Sequence, residues 1–307
     1  MSERPELPID IRVFERGWLS SNNILLLSET GSTLVDSGYA THAAQTVALV
    51  EAALGASPLS TLVNTHLHSD HCGGNALLQA HYLGMRTLIP PGQAEAVRRW
   101  DANALSYTPT GQSCERFHFD ATLQHGSTLR LGQRNWQVHS APGHDPHSVI
   151  LFDPESRILI SADALWENGF GVVFPEIEGI DAFGEVADTL DLIESLQPRL
   201  VIPGHGAIFD GVSQALFVAR ERLNHYLADP RRHARHAAKV LIKFKLLEAQ
   251  HCTLLDFRHW VAQTTYFSTL HQAYFSAEQF EPWLDKLLHD LIRSGVAQMD
   301  GQMLVNQ

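Results

Sequence analysis

Ten residues constrain this chain more than any others: Thr65-His66-Leu67-His68-Ser69-Asp70-His71-Cys72-Gly73-Gly74. Four potential metal ligands fall within six positions. The preceding residues 59–64 read as a short buried strand, and residues 75–80 as a helix entered through Gly73-Gly74. The ligands are therefore expected on a loop at a strand end, where sites on rigid scaffolds are usually built. In an extended stretch, residues i and i+2 point to the same side, so His66 and His68 can grip one ion. Asp70 and His71 follow as the chain turns and can face a second. Imidazole and carboxylate suit zinc, iron or manganese.

The remainder alternates strands with helices. Strands are expected at residues 11–14, 23–28, 32–36, 87–89, 128–131, 135–140, 148–152, 157–161 and 200–202. Helices are expected at 41–54, with Gly55 just past the end, at 91–100 and at 183–196. Residues 101–120 show no period and contain Pro109 and Gly111, and a loop that long in a compact domain is more often functional than idle. Three strand ends carry further ligand candidates: His144 in Ala141-Pro142-Gly143-His144, Asp163 in Ser161-Ala162-Asp163, and His205 in Pro203-Gly204-His205-Gly206. Each alone is weak. With the first loop they give five His and two Asp at strand ends, enough for two ions with Asp163 between them.

This series, His66-x-His68-x-Asp70-His71 followed by His144, Asp163 and His205, resembles the metallo-β-lactamase-fold hydrolases, in the dinuclear branch that includes glyoxalase II. Asp36 in Leu34-Val35-Asp36-Ser37-Gly38 matches that family's early Asp-x-Gly turn. The resemblance covers roughly residues 10–210. It implies an α/β fold, a four-layer αβ/βα sandwich with the metals at one edge of two sheets. It implies His66, His68 and His144 on one metal, Asp70, His71 and His205 on the other, and Asp163 bridging. The implied cofactor is a pair of divalent ions, zinc first, with iron or manganese as alternatives. A hydroxide held between them would attack an ester or thioester, with Asp70 orienting the nucleophile or moving its proton. Asp36 and His147 are expected to orient ligands. Trp166, Phe170 and Phe174, in residues 166–177, are expected to line the substrate pocket together with residues 103–117.

The other histidines among the 18, His233 and His236 included, sit in ordinary polar or mixed contexts and are expected on the surface or satisfied in the core. Beyond residue 212 the pattern becomes helical. Helices are expected at 212–228 and 283–293, with a basic run from Arg231 to Lys239, and Asp300-Gly301 marks a closing hairpin. The expected division is a catalytic domain, 1–212, and a smaller helical, winged-helix-like module, 213–307.

Charge bears on partners. The net charge is −12, and residues 217–307 carry 11 Lys/Arg against 9 Asp/Glu, which leaves −14 on the rest. A polyanion would approach against that field, so a small-molecule substrate is expected and nucleic acid is disfavoured. A metallo-endoribonuclease of the same fold is the alternative, and the C-terminal module is expected to pack or to form a homodimer while covering part of the active-site rim. Three scattered cysteines suggest no disulfide framework and a reducing, cytoplasmic setting. The first residues show no leader pattern, and no apolar run reaches membrane-spanning length.

Overall fold

A computed structural model describes residues 5–307, so Met1 to Arg4, the start of the leader reading, lie outside it. Two sheets face each other. One has six strands in the order β1 (Ile11–Phe14), β2 (Asn23–Leu26), β3 (Ser32–Val35), β4 (Leu59–Val63), β5 (Arg86–Ile89) and β6 (Ala121–Thr122). The other runs in the order β11 (Leu200–Pro203), β10 (Ile158–Ala162), β9 (Val149–Asp153), β8 (Arg134–Ser140) and β7 (Thr128–Leu131).

Strand periodicity explains the layering. On β9, Val149 and Leu151 join the core between the sheets, while Ile150 and Phe152 join the core behind the second sheet. On β2, Ile24 and Leu26 face inward and Leu25 faces outward. Successive side chains on a strand point to opposite faces, so strands apolar at every position must be covered on both. Helices α1 (Ala43–Leu54) and α3 (Asn75–His81) cover the first sheet. The second is covered by α7 (Phe183–Leu196) and α8 (Val212–Ala228). The result is the expected four-layer αβ/βα sandwich.

Shorter helices serve the loops: α2 (Ser69–Cys72), α4 (Ala94–Arg99), α5 (Tyr107–Thr110) and α6 (Phe174–Ile177). The chain then forms α9 (Pro230–Ala249), β12 (His251–Thr253), α10 (Leu254–Gln263), α11 (Thr265–Tyr274), α12 (Phe280–Arg293) and the hairpin β13 (Ala297–Asp300) to β14 (Met303–Asn306). The three strands pair in the order β12-β14-β13. Ala215, Leu216, Ala219 and Leu223 of α8 belong to the core behind the second sheet, whereas α9 to α12 share a core that also takes in Val172 and Ile177. Between α8 and α9 the Asp229 carboxylate accepts from the Arg231 N–H and Pro230 opens the next helix.

The direction of the strands places the site. β3, β4 and β5 are mutually parallel; β10 and β11 are parallel, and β8 runs with them because both are antiparallel to β9. The C-terminal ends of both sheets meet at one edge of the sandwich, the end at which open α/β sheets bind ligands.

Candidate metal centre

Several chain segments reach that edge. His66 and His68 leave β4; Asp70 and His71 sit on α2; His144, Asp163 and His205 follow β8, β10 and β11. Hydrogen bonds stitch the segments together. Ser21 N–H donates to the Asp70 carbonyl (2.9 Å), Asn22 N–H to that of Gly204 (2.6 Å), and the Asn22 amide to those of Pro203 (3.0 Å) and Gly206 (2.7 Å). Two residues here hold left-handed backbone without being glycine: Asp36 (φ 59°) and Ala162 (φ 48°), which aims the following Asp163 into the site. Gly204 lies so close that a Cβ there would strike the Asp163 carboxylate.

All seven expected ligands come together, in two groups: His66, His68 and His144; and Asp70, His71, Asp163 and His205, with ligand atoms within 4.8 Å of one another in each. His68 Nδ1 lies 3.1 Å from His66 Nε2 and 2.8 Å from His144 Nε2. Asp163 stands between the groups, 3.3 Å from His144 Nε2, 3.5 Å from His71 Nε2 and 3.8 Å from His205 Nε2. Asp70 Oδ2 is 3.0 Å from His205 Nε2.

The outward ring atoms show which nitrogens remain free. His144 Nδ1–H donates to the Val172 carbonyl at 2.5 Å, and His71 Nδ1–H to Asp36 Oδ2 at 2.8 Å. His68 Nε2 faces Asp145 Oδ2 at 3.7 Å. The opposite nitrogens point inward, and the buried His71 Nε2 has no hydrogen-bond partner among the described residues. Converging lone pairs repel, and a cation in their midst reverses that sign. Burial, with neighbouring imidazoles pushing the same way, lowers His66 well below the usual value and His68 to about 4, so both stay neutral. Burial also opposes a charge on His71, yet Asp163, Asp36 and Asp70 outweigh it and raise its pKa well above normal. Burial would raise Asp163, but His71 and His205 outweigh it and hold it well below the carboxylate range. Surplus negative charge of that kind is what divalent cations neutralise. The donor set fits two such ions.

Asp36 does face a ligand candidate, and it also accepts from Thr65 N–H (2.9 Å) and Thr65 Oγ1 (2.8 Å). His147 does not fill the role expected of it. Its ring packs against Gly92, and Asp145, two residues earlier, is the group beside His68. A turn led by Asp145, whose carboxylate accepts from the His147 N–H at 2.8 Å, directs that ring away.

A cavity of about 540 Å³ opens on the centre, with His68, Asp70, His144, Asp163 and His205 in its floor. Trp166 and Phe174 line it, as do Ser106, Thr110 and Gln112 of the long loop. Phe170 is the exception among the expected pocket aromatics. It is 2 % exposed and packs edge-on to Tyr226, because the second sheet's helices offer it an apolar bed. The strand-end reasoning missed two contributors. Trp18 stacks on His205, centroids 5.4 Å apart. Helix α9 supplies His236, Val240, Leu241, Lys243, Phe244 and Leu247, a wall from a segment some 75 residues downstream of Asp163. The expectation that the C-terminal module covers part of the rim did not name these residues. α9 also reaches the ligands indirectly. The peptide unit whose carbonyl accepts from His144 donates its Val173 N–H to His233 Nε2 at 3.0 Å.

Comparison with known proteins agrees with this geometry. Over 158 residues the chain is 28% identical to the acyl-coenzyme A thioesterase MBLAC2 of Homo sapiens, covering 47% of this chain and 54% of that one. Over 123 residues it is 35% identical to the hydroxyacylglutathione hydrolase of Synechococcus sp. (strain JA-3-3Ab), covering 40% and 41%. The chain thus spans about half the length of the curated relatives it matches, or less. In structure it is similar to a metallo-beta-lactamase family protein of Thermus thermophilus, with TM-score 0.58 and 20% identity over 97% of this chain and 99% of that one. It is also similar, at TM-score 0.51 and 25% identity over 68% and 98%, to a protein solved in a di-iron-bound form. Among the described residues no helix is long and apolar enough to cross a membrane. Residues 16–205, well over half of the sequence, match the family profile, and the chain belongs to the metallo-beta-lactamase superfamily.

Proposed function

We propose that this chain hydrolyses a small ester or thioester at a pair of divalent metal ions, with zinc the first expectation and iron or manganese compatible with the same donors. The observation that carries the reading is the cavity: one space of about 540 Å³ is lined by members of both ligand groups and by apolar residues of α9. Two cations held there would polarise a carbonyl and lower the pKa of water to about 7. His66, His68 and His144 would hold one ion, Asp70, His71 and His205 the other, and Asp163 both. Asp70 is the most exposed carboxylate of the set, 14% against 5% for Asp163, and is the group placed to hold or pass a proton at the cavity floor. Phe174 packs edge-on to both His68 and His144 and keeps water from that side. The named thioesterase and hydroxyacylglutathione hydrolase relatives support an acyl-transfer substrate.

The C-terminal strand order, β12-β14-β13 around a helical core, supports reading residues 230–307 as a winged-helix-like module that closes the cavity. Tyr39 Oη donates to Glu248 of α9 (2.6 Å) and accepts from Ser113 N–H (3.0 Å), which ties that wall to the long loop. Three cysteines without a disulfide are in keeping with a cytoplasmic setting, part of the same proposal.

The test is a substrate panel on metal-loaded protein: acyl thioesters, lactones and aryl esters beside single-stranded RNA over a salt series. Turnover of a thioester or ester is the expected result. RNA cleavage that weakens steeply with salt, with negligible ester turnover, would replace this reading with the nuclease alternative.

A further inference from the structure

We infer that Arg222 and His236 form an anion-binding subsite in the cavity, which takes a carboxylate or phosphate carried by the substrate away from its scissile carbonyl. The inference deepens the hydrolase reading and rests on it only for the word substrate.

Besides the histidines of the two ligand groups, three basic side chains line the cavity: Arg222 from α8, and His236 and Lys243 from α9. Lys243 is already occupied, since its Nζ donates to the Val296 carbonyl (3.1 Å), Asn306 Oδ1 (2.6 Å) and the Gln307 carbonyl (2.8 Å). Arg222 differs. It is half-buried, its guanidinium reaches only the Phe170 carbonyl at 3.4 Å, and no carboxylate lies within ion-pair distance among the described residues. Arg220, two residues earlier on the same helix, points outward and pairs with Asp191 and Glu194 at 2.7 Å each. The helix thus pairs its outer arginine and leaves its inner one unpaired, facing an apolar cavity. Gly169 (φ 119°) makes the approach possible, because a Cβ there would meet the guanidinium.

His236 lines the same space and stacks on Tyr226, centroids 6.4 Å apart. Burial lowers its pKa to about 4, and Arg222 and Lys239 push in the same direction. The carboxylates on the wall do not answer the Arg222 charge. Asp70 and Asp163 are engaged by histidines, and Glu167 is exposed and outside ion-pair range of Arg222. A partly desolvated guanidinium without a partner is costly. An anionic ligand group removes that cost, through bidentate donation from Arg222 and one N–H from His236.

Calorimetry with three non-hydrolysable thioethers of equal length would test this: one neutral, one ending in carboxylate, one in phosphate. Metal-loaded wild type should prefer one anionic form over the neutral one by about tenfold or more, a difference of about 1.4 kcal/mol. The preferred arm identifies the group. Arg222→Gln should abolish the preference while neutral binding stays within about twofold, and Arg222→Lys should keep part of it. His236→Gln should reduce it, which provides a second variant should the first fail to fold. Equal affinity for all three thioethers in wild type would overturn the subsite, and so would an anion preference that survives Arg222→Gln, since the metals alone would then explain it. No thioether turns over, so a failure of thioester hydrolysis would sink the proposed reaction and leave this result standing.

Discussion

His66, His68 and His144 form an all-imidazole set, whereas Asp70, His71, Asp163 and His205 bring two carboxylates, with Asp36 a third behind His71. The first set is neutral where burial acts most strongly, on His66 and His68. In the second, carboxylates raise His71 against the effect of burial. Two sites a few ångströms apart therefore differ in charge more than in shape. The mixed set should hold its cation by charge and the imidazole set by lone-pair donation, and Asp163, which faces both, should matter to each.

Removing the shared group should have the largest effect. Asp163→Ala is expected to lower turnover by at least about 100-fold, more than losses at outer partners, and to reduce bound metal below two per chain. Unchanged kcat and metal content by elemental analysis would break the comparison at its centre. Next, His66→Ala and His205→Ala should each leave about one metal per chain, and the surviving ion should differ in its coordination spectrum with cobalt as the probe. Identical spectra would mean that the sets are not distinct.

The outer partners sharpen the contrast. Asp36→Asn weakens a 2.8 Å bond to the charged set and should cost about 10–100-fold in metal affinity. Asp145→Asn, acting at 3.7 Å from His68, should cost visibly less in the same competition titration with a chelator. An equal loss would say that distance and charge at the outer carboxylate do not matter.

Smaller effects are expected where α9 meets the imidazole set. His233→Leu leaves the Val173 N–H without its acceptor and should cost about 1–3 kcal/mol in stability, read by denaturant melts. His233→Gln, which keeps an acceptor, should recover part of that. Burial lowers His233 to about 3 and His236 to about 4. Between those values and about 6.5 the unfolded chain binds protons that the folded chain refuses. Stability should therefore be full above about 6.5 and fall as pH drops, by up to about 1.4 kcal/mol per pH unit for each histidine. A flat profile of melting temperature between about pH 7 and 5 would show that neither imidazole is held neutral.

Much of this molecule could be read from its sequence because the physics is local. Strand periodicity survives in short apolar runs such as Leu200-Val201-Ile202, and the ligand candidates follow strand ends, so the six-residue stretch from His66 to His71 and the isolated His144, Asp163 and His205 could be picked out as residues that the fold brings together. Phe170 and His147 show where that logic stops. Both are the right residue types at the right place in the chain, yet one turns into the core beside Tyr226 and the other lies against Gly92. A side chain's direction in a loop depends on what packs against it, and the loop's sequence does not contain that neighbour.

The layers and the candidate ligands were written into single segments, since alternation of side chains along a strand and the spacing of residues along the chain are local properties. The part of the cavity wall built by Trp18, α8 and α9 was not, and it came only from the assembled fold. Arg222 and His236 are 14 residues apart on different helices, and Trp18 lies nearly 190 residues from the His205 it stacks on. Groups so separated meet only after both sheets and the C-terminal core have formed, so no local pattern records their encounter.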